Sequence, residues 1–212
     1  MAFDVVDIGP DKVADLLDLH EGHFADLKSS EIAPAKLAKT FSAFANTGGG
    51  DVYIGIEEVV TTDGKERIWK GFADQEAANP IFQVMETLGP LANNYSAEFF
   101  RSAKDPGLVL HINIFKTQEI ISATDGKTYV RRNAQSLPLA GADAIDRLKY
   151  DKGVRSFEDE VLNVDATEIT NSVTVLEFLI DAIPTGEPEE WLSKQRVTIG
   201  NRPTVAGDPA IL

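Results

Sequence analysis

Apolar residues recur in this chain with two different periods, and each period predicts one kind of element. Leu37, Phe41 and Phe44 are spaced like one face of a helix, and Pro34 stands where a first helical turn tolerates proline. Residues 52–56 alternate between apolar and other side chains, which is the period of a strand. The pattern therefore predicts a helix followed closely by a strand.

The same two periods predict the other elements of the first 150 residues. We expect helices near 11–19, 75–91 and 143–150, the second of them interrupted near Pro80 and ended around Gly89-Pro90. We expect strands from about 21 to 28 and near 67–72, 95–101, 108–115 and 128–132, and hairpin turns at Asp63-Gly64 and Asp125-Gly126. Helices and strands mixed in this order predict an α+β domain with a mixed, mostly antiparallel sheet flanked by helices.

The chain changes character along its length. Residues 1–150 hold the predicted domain, and residues 151–170 have the composition of a linker. An acidic segment follows, in which Leu176, Leu179, Ile180 and Ile183 form the apolar face of a helix. We expect residues 171–212 to contain this acidic helical segment and the start of a truncated C-terminal domain, because the chain stops on an apolar, strand-like ending.

Composition narrows the class of protein. With 43% hydrophobic residues the chain can form a core, and no apolar run approaches the roughly 20 residues of a membrane span. Acids stand near the N-terminus where a signal peptide would carry lysines, and cysteine is absent. We expect a cytoplasmic protein with no membrane partner, in which any metal is bound by carboxylates or histidines.

Charge is spread unevenly along the chain. The net charge is −14, and ten acids between Ser156 and Glu190, with no basic residue among them, supply −10 of it. Between Arg101 and Arg132, six basic residues stand against three acids. Phosphate binding requires lysine and arginine. This second stretch therefore predicts a locally basic side of the domain.

Three glycines, Gly48–Gly50, separate the predicted helix from the predicted strand. A phosphate-binding P-loop runs from strand through glycines to helix and ends in Gly-Lys-Ser/Thr, whereas here the order is reversed. Gly126-Lys127-Thr128 lacks the upstream glycine of that motif, because position 121 is isoleucine. We expect no ATP site in this chain, and we interpret the glycines as a helix end and tight turn.

Three carboxylates are predicted near neighbouring strand ends. Glu21 and Asp26 flank or lie on one strand, Lys28 shares a face with Asp26, and Glu57 ends the strand after the glycines. Converging carboxylates could hold Mg²⁺ or Mn²⁺ for phosphodiester cleavage, with Lys28 neutralising the developing charge. Separately solvated acids are the alternative that this spacing leaves open.

Residues 21–58, EGHFADLKSSEIAPAKLAKTFSAFANTGGGDVYIGIEE, resemble the Schlafen AlbA-like domain found in bacterial RecG-like proteins and transcriptional regulators. The FANTGGG motif and the downstream TYVRRNAQS at residues 128–136 carry the resemblance, which spans about residues 10–150. The family is often described as DNA-binding, and eukaryotic relatives cut RNA with three carboxylates. The resemblance thus implies nucleic-acid handling more strongly than cleavage.

The resemblance matches Glu21, Asp26 and Glu57 to the acids of that three-carboxylate site. Gly22 replaces the usual serine, Asp26 is shorter than the usual glutamate, and Leu27 replaces an aromatic residue. Displacing a carboxylate by about one methylene can greatly lower the rate of catalysis. Cleavage of RNA or DNA is therefore an alternative to binding alone.

We expect a nucleic-acid-binding domain of a bacterial regulator or defence protein, with RNA or DNA as its partner. Phosphate contacts are predicted along a basic sheet edge and on one helix, at Lys36, Lys39, Arg101, Lys116, Lys127, Arg131 and Arg132. Arg131 and Arg132 alternate faces on one strand, so only one of them is expected to reach a ligand. A metal-dependent nuclease is the first alternative, and a homo-oligomeric protein-interaction module joined by opposite charges is the second.

Overall fold

The computed structural model describes residues 3–62, 64–167, 173, 177, 192–193 and 197–207. The chain divides into two compact units, Met1–Lys152 and Gly153–Leu212. No described helix is long and apolar enough to cross a membrane. The first unit contains the main sheet.

Strands and helices are mixed along the first unit. Its elements are β1 (Val5–Ile8), α1 (Pro10–Asp18), β2 (Ala25–Lys28), α2 (Pro34–Asn46), β3 (Gly50–Ile54), β4 (Ile56–Thr61), β5 (Gly64–Trp69), α3 (Asn79–Thr87), β6 (Tyr95–Ser102), β7 (Leu108–Ile114), β8 (Tyr129–Arg132), β9 (Gln135–Pro138) and α4 (Ala142–Asp151). Short 3₁₀ helices, Glu76–Ala78 and Gly89–Asn93, flank α3.

Five strands form one mixed sheet in the order β1-β6-β7-β3-β2. The β1/β6 and β2/β3 pairs are parallel, while β7 is antiparallel to both of its neighbours, β6 and β3. Two antiparallel hairpins, β4 with β5 and β8 with β9, lie outside this sheet. The fold is therefore α+β with a mixed, mostly antiparallel set of strands, as the sequence predicts.

One face of the sheet carries the main core. Leu37, Phe41 and Phe44 of α2 are fully buried and pack with Ile54 and Ile112 from the sheet. Burying each such side chain contributes roughly 1.5–3 kcal/mol. The helical spacing seen in the sequence therefore corresponds to the face that holds α2 on the sheet.

The opposite face of the sheet is covered over part of its area. Leu16 of α1 and Trp69 of β5 form a second apolar cluster with Phe100 and Val109 of the sheet. Val109 belongs to this cluster and its neighbour Leu110 to the main core, as strand alternation requires. Strand β7 is thus buried on both faces at this point, which explains its nearly continuous apolar sequence.

Strand β2 begins at Ala25, later than the predicted start near Glu21. The Gly22 amide donates to the Ala25 carbonyl at 3.0 Å, and the Glu21 carboxylate accepts from the Leu27 amide at 2.9 Å. These contacts turn the chain back on itself before the strand. The prediction that the strand starts near Glu21 is therefore wrong.

Glu57 does not end the strand that follows the glycines, contrary to the prediction. Gly55, with a φ of 119°, separates β3 from β4, and its carbonyl accepts from the amides of Lys70 and Gly71, each at 2.9 Å. Glu57 is the second residue of β4, which pairs only with β5 and leaves the main sheet. A glycine break redirects the chain here, and alternation alone gives no sign of it.

The predicted helix at 75–91 is divided into three shorter helical segments. Pro80 lies in the first turn of α3, where a missing amide proton costs nothing, and Gly89 adopts a φ of 61° just after its end. Proline and glycine thus delimit α3 on both sides. The predicted interruption near Pro80 and the predicted end around Gly89-Pro90 are therefore confirmed.

The second unit is described only in part. It contains a 3₁₀ helix at Phe157–Asp159, the short pair β10 (Thr198–Ile199) and β11 (Arg202–Pro203), and a 3₁₀ helix at Val205–Gly207. Within the predicted linker, the Leu162 amide donates to Pro203 O at 2.8 Å. The predicted acidic helix face at residues 176–183 lies outside the described residues, apart from Glu177. The truncated C-terminal domain stays a prediction.

His111 lies on the face of the sheet opposite α2, between two carboxylates. Its Nε2 is 2.7 Å from Asp51 Oδ1 and its Nδ1 is 3.0 Å from Glu98 Oε1, and its ring stacks on Tyr53 with 4.6 Å between centroids. Burial alone would lower the pKa of His111, but the hydrogen bonds to Asp51 and Glu98 outweigh it and raise this pKa above its usual 6.5. A protonated imidazole donates to both acids, so the charged form stabilises the fold.

The charged form of His111 makes the free energy of unfolding depend on pH. Because the folded-state pKa is raised, this stabilisation is fully present below about pH 6.5 and is lost as pH rises through the folded-state pKa. Glu98→Gln should lower the pKa of His111, as measured by NMR titration. His111→Gln should remove the contribution of His111 to the pH dependence of the free energy of unfolding, as measured by urea unfolding between about pH 5 and 9. A wild-type contribution that grows with rising pH would contradict the assignment.

Candidate functional site

Helix α2 ends in a glycine turn that brings three chain segments into contact. Gly49 has a φ of 77°, and a β-carbon there would lie 2.6 Å from the carbonyl oxygen of Ile114. A β-carbon at Gly50 would lie 2.5 Å from the Phe44 ring. Only glycine fits such positions, so the interpretation of these residues as a structural turn is confirmed. The turn holds the end of α2 against β3 and β7.

The last turns of α2 carry polar side chains that face protein and not water. Asn46 Nδ2 donates to the carbonyls of Ile121 (2.7 Å) and Tyr129 (2.9 Å), and its Oδ1 accepts from the Ile121 amide at 2.9 Å. Ser42 Oγ donates to Ile121 O at 2.7 Å and accepts from the Tyr129 amide at 3.1 Å. These bonds position residues 117–129, which precede β8 and have little regular structure of their own.

Lys152 completes this polar cluster from the end of α4. Its buried Nζ donates to Ala45 O at 2.9 Å, Asn46 Oδ1 at 3.3 Å and Thr117 Oγ1 at 3.1 Å. Burial lowers the pKa of Lys152 to about 8, and the nearby charge of Lys116 acts in the same direction. The ammonium group donates to a backbone carbonyl at the C-terminal end of α2, where helix carbonyls lack intrahelical partners.

Arg131 on β8 is buried and ion-paired. Its Nη2 lies 2.9 Å from Asp26 Oδ1 and 3.2 Å from Ala25 O, its Nε donates to Gly22 O at 3.0 Å, and its guanidinium lies 4.8 Å from the centre of the Phe44 ring. The residue is only 3% exposed. The prediction that Arg131 contacts phosphate is therefore contradicted, because its donors are committed to the fold.

The carboxylates of Glu21, Asp26 and Glu57 are each neutralised by a cation. Lys28 Nζ lies 2.7 Å from Asp26 Oδ2 and 3.4 Å from Glu21 Oε1, and Lys70 Nζ lies 3.0 Å from Glu57 Oε2. Asp26 Oδ2 is buried and accepts no aligned hydrogen bond, so its contact with Lys28 is an ion pair only. Burial would raise the pKa of Glu21, but the Leu27 amide and Lys28 bring it below its usual value.

The part of the chain that the structure describes contains no group of three His, Asp or Glu residues that could hold a metal ion. Asp26, matched to the expected ligand set, is 2% exposed and already paired with Lys28 and Arg131. In this arrangement the side chains do not fit a shared Mg²⁺ or Mn²⁺ ion. The metal site and the cleavage reaction stay predictions.

An open groove of about 450 Å³ contains two of the three predicted acids. Four acids and three bases line it: Glu21, Glu31, Glu57 and Glu58, with Lys28, Lys36 and Arg67. Arg67 donates to the Leu19 carbonyl. We call this the mixed-charge groove. Its charges compensate one another, which gives an anion no net attraction.

A second open groove of about 520 Å³ lies between the end of α2, strand β8 and helix α4. Lys116 from the loop after β7, Arg132 from β8 and Arg147 from α4 line it, and Asp143 and Asp151 line it as well. All three basic residues are exposed, and none has a carboxylate partner within the described residues. Lys116 Nζ donates only to the carbonyl of Asp151, at 3.2 Å. We call this the basic groove.

The other predicted phosphate contacts lie elsewhere. Arg101 pairs with Asp7 at 3.5 Å at the edge of the main sheet, and Lys39 lies 3.4 Å from Asp125 and over the Tyr129 ring. Lys127 is exposed in the turn before β8. Of the seven predicted residues, only Lys116 and Arg132, with the buried Arg131 beneath them, line the basic groove. A single basic sheet edge is therefore not what the structure contains.

Residues 21–140 match the family model described as Schlafen, AlbA_2, which covers more than half of the 212 residues. The chain belongs to this family. No curated protein matches the chain.

Two solved structures are similar to this Schlafen AlbA_2 protein. The DIP2311 protein from Corynebacterium diphtheriae is 19% identical with a TM-score of 0.45, over 87% of this chain and 39% of its own. The N-terminal domain of a RecG-related protein from Nitrosomonas europaea is 15% identical with a TM-score of 0.46, over 62% of this chain and 84% of its own. The chain thus spans well under half the length of the first.

Sequence reasoning missed two residues of the site in this Schlafen AlbA_2 domain. Arg147 was not selected, because it lies in an ordinary charged helix outside the basic stretch, and only the docking of α4 beside β8 brings it to Arg132. Lys152 was also missed, since nothing in its local sequence predicts burial. Asn46 and Thr47 stand in the FANTGGG motif, so that motif was the available signal for the polar end of α2.

Loss of the Asp26 carboxylate should strongly destabilise the domain. Asp26→Ala leaves the buried Arg131 without its counterion, and breaking a buried pair in this way costs about 3–5 kcal/mol. Asp7→Ala removes an exposed partner of Arg101 and should cost less than about 1 kcal/mol. Urea unfolding measures both. Equal losses in the two variants would show that the Arg131 pair is not a main support of the fold.

The Asn46 side chain should be similarly hard to replace. Asn46→Ala removes the partner of the buried Ile121 amide and of the Tyr129 carbonyl, with an expected loss of about 2–4 kcal/mol in the free energy of unfolding. Asn113→Ala is the matched control, because that side chain is half-buried on the sheet and makes no polar side-chain contact with the described part of the chain. Comparable thermal stability of the two variants would refute this role of Asn46.

Proposed function

We propose that this Schlafen AlbA_2 domain binds nucleic acid, with the phosphates held in the basic groove. The observation that carries the proposal is the convergence of Lys116, Arg132 and Arg147, from three separate parts of the chain, on one groove without carboxylate partners within the described residues. The nucleic-acid class is supported by the family to which the chain belongs.

The distribution of ion pairs supports the choice of this groove. In a chain of net charge −14, basic side chains are expected to find acids nearby. Arg101, Lys39 and Lys70 all have a carboxylate within 4 Å. A cation without an ion-pair partner on such a surface is available for an anionic ligand, because phosphate oxygens do not have to displace a carboxylate of the protein from it.

Phosphodiester cleavage and assembly with a second copy stay predictions. The carboxylates that cleavage would require are paired with lysine or arginine. Charge-driven assembly would be reversed by salt, as phosphate binding would be. Light scattering without nucleic acid therefore accompanies every binding experiment, so that self-association is recognised separately.

Binding should depend on salt and on the three basic side chains of the groove. Three neutralised phosphates predict a log–log salt slope of about −2 for a single strand and about −3 for a duplex. Arg132→Ala, Arg147→Ala and Lys116→Ala should each weaken binding several-fold and reduce the slope by about 1, measured by fluorescence anisotropy. The folded state should be unaffected, because all three side chains are exposed.

Lys65→Ala is the matched control, since it removes one exposed charge on the β4-β5 hairpin, where Lys65 pairs with Glu58. It should leave both affinity and slope almost unchanged. Weaker binding by Arg101→Ala would show that the ligand also reaches the sheet edge. No binding by the wild type at low salt, or equal effects of Lys65→Ala and Arg132→Ala, would overturn the proposal.

A further inference from the structure

Two phenylalanines of the first unit are exposed. Phe24 is 60% and Phe115 is 46% exposed, and the other large exposed apolar side chains described in residues 3–152 are aliphatic. Exposed aromatic surface contributes nothing to the core. Both residues could be replaced by smaller or polar ones at little cost in folding free energy.

Both phenylalanines lie beside the same glycine turn, Phe24 through its ring and Phe115 through its backbone. A β-carbon at Gly48 would lie 3.0 Å from the edge of the Phe24 ring, so the absence of a side chain leaves room for that ring. A β-carbon at Gly49 would lie 3.6 Å from the carbonyl carbon of Phe115. The two exposed aromatic residues therefore flank one short segment, although they are 91 positions apart in the sequence.

This aromatic pair adjoins the basic groove. Thr47, which immediately precedes Gly48, lines the groove, and so does Lys116, which immediately follows Phe115. Asp51, the acid nearest in sequence to the turn, is hydrogen-bonded to His111. Aromatic surface and unpaired positive charge are thus continuous along the chain at this place.

We infer that the ligand is a single-stranded nucleic acid whose bases stack on Phe24 and Phe115 while its phosphates lie in the basic groove. The inference rests on the proposed function. Aromatic side chains beside a positive groove bind single strands, because every base has a face to stack and a duplex keeps those faces inside its own stack. Stacking tolerates any base, so the site binds with little sequence preference. An apolar protein partner is disfavoured by the adjoining unpaired cations.

The test compares a fluorescent oligonucleotide of about 12 thymidines with a duplex of the same length, at low salt. Wild type should bind the single strand more tightly. Phe24→Ala and Phe115→Ala should each weaken single-strand binding by roughly five- to hundredfold and leave duplex binding nearly unchanged. Phe157→Ala is the matched control, because it removes a 64% exposed phenylalanine from the second unit and should have no effect.

A second variant moves one ring without removing it. Gly48→Ala places a methyl group 3.0 Å from the Phe24 ring, which can swing aside because its side chain is exposed. Circular dichroism should show a folded protein, and single-strand affinity should fall toward that of Phe24→Ala. Unchanged affinity in this variant and in Phe24→Ala would remove Phe24 from the site.

The outcomes separate the inference from the proposed function. If Arg132→Ala weakens binding but both phenylalanine variants bind like wild type, the stacking inference fails and phosphate binding stands. If wild type binds neither probe, phosphate binding fails as well. If wild type self-associates in light scattering, and a variant with both Phe24→Ala and Phe115→Ala does not but keeps its single-strand affinity, the aromatic pair contacts a second copy of the chain, and the inference is overturned.

Discussion

The buried guanidinium of Arg131 is the constraint on which the arrangement of this domain depends. A guanidinium group that is 3% exposed is stable only if its N–H donors have acceptors in the protein. Asp26 and the carbonyls of Gly22 and Ala25 are these acceptors. These partners belong to β2 and to the bend before it, about 105 residues earlier in the chain. The pair therefore holds β8 on the edge of the main sheet and, with the Phe44 ring behind it, places the neighbouring Arg132 at the surface.

The polar end of α2 serves the same arrangement. Ser42 and Asn46 are buried, so their side chains must bond to protein, and they bond to the backbone of the segment that leads into β8. The Thr47 hydroxyl oxygen also accepts from the Arg131 amide at 2.9 Å. A helix that is apolar on every side would leave this segment without partners. The motif that identifies the family is thus the device that fixes an irregular segment on a helix.

Pairing of charges separates the two grooves of the domain. In the mixed-charge groove Glu21 and Lys28 are partners, and Asp26 behind them is shared between Lys28 and Arg131. In the basic groove Arg132 and Arg147 have no carboxylate partner within the described residues. A chain with an excess of acids can therefore still present a locally basic surface to an anion, because most of its acids lie elsewhere.

The sequence by itself determined the elements whose signals are local. The spacing of Leu37, Phe41 and Phe44 placed α2 and its buried face, alternation put Arg131 and Arg132 on opposite sides of β8, and FANTGGG identified the family. Each of these depends on residues a few positions apart, which is the range over which a period can be read. The boundary at Gly55 was misjudged, because a single residue's backbone conformation there overrides the surrounding pattern.

Only the tertiary structure decided which charges are free and which are bound. Asp26 was assigned to a metal site and Arg131 to a phosphate, yet the fold brings the two together and buries both. Arg147 joined the basic groove only because α4 packs beside β8. Charges act through space over several ångströms whatever their separation in sequence. The chemistry of this surface is therefore set by long-range contacts that no local pattern in the sequence encodes.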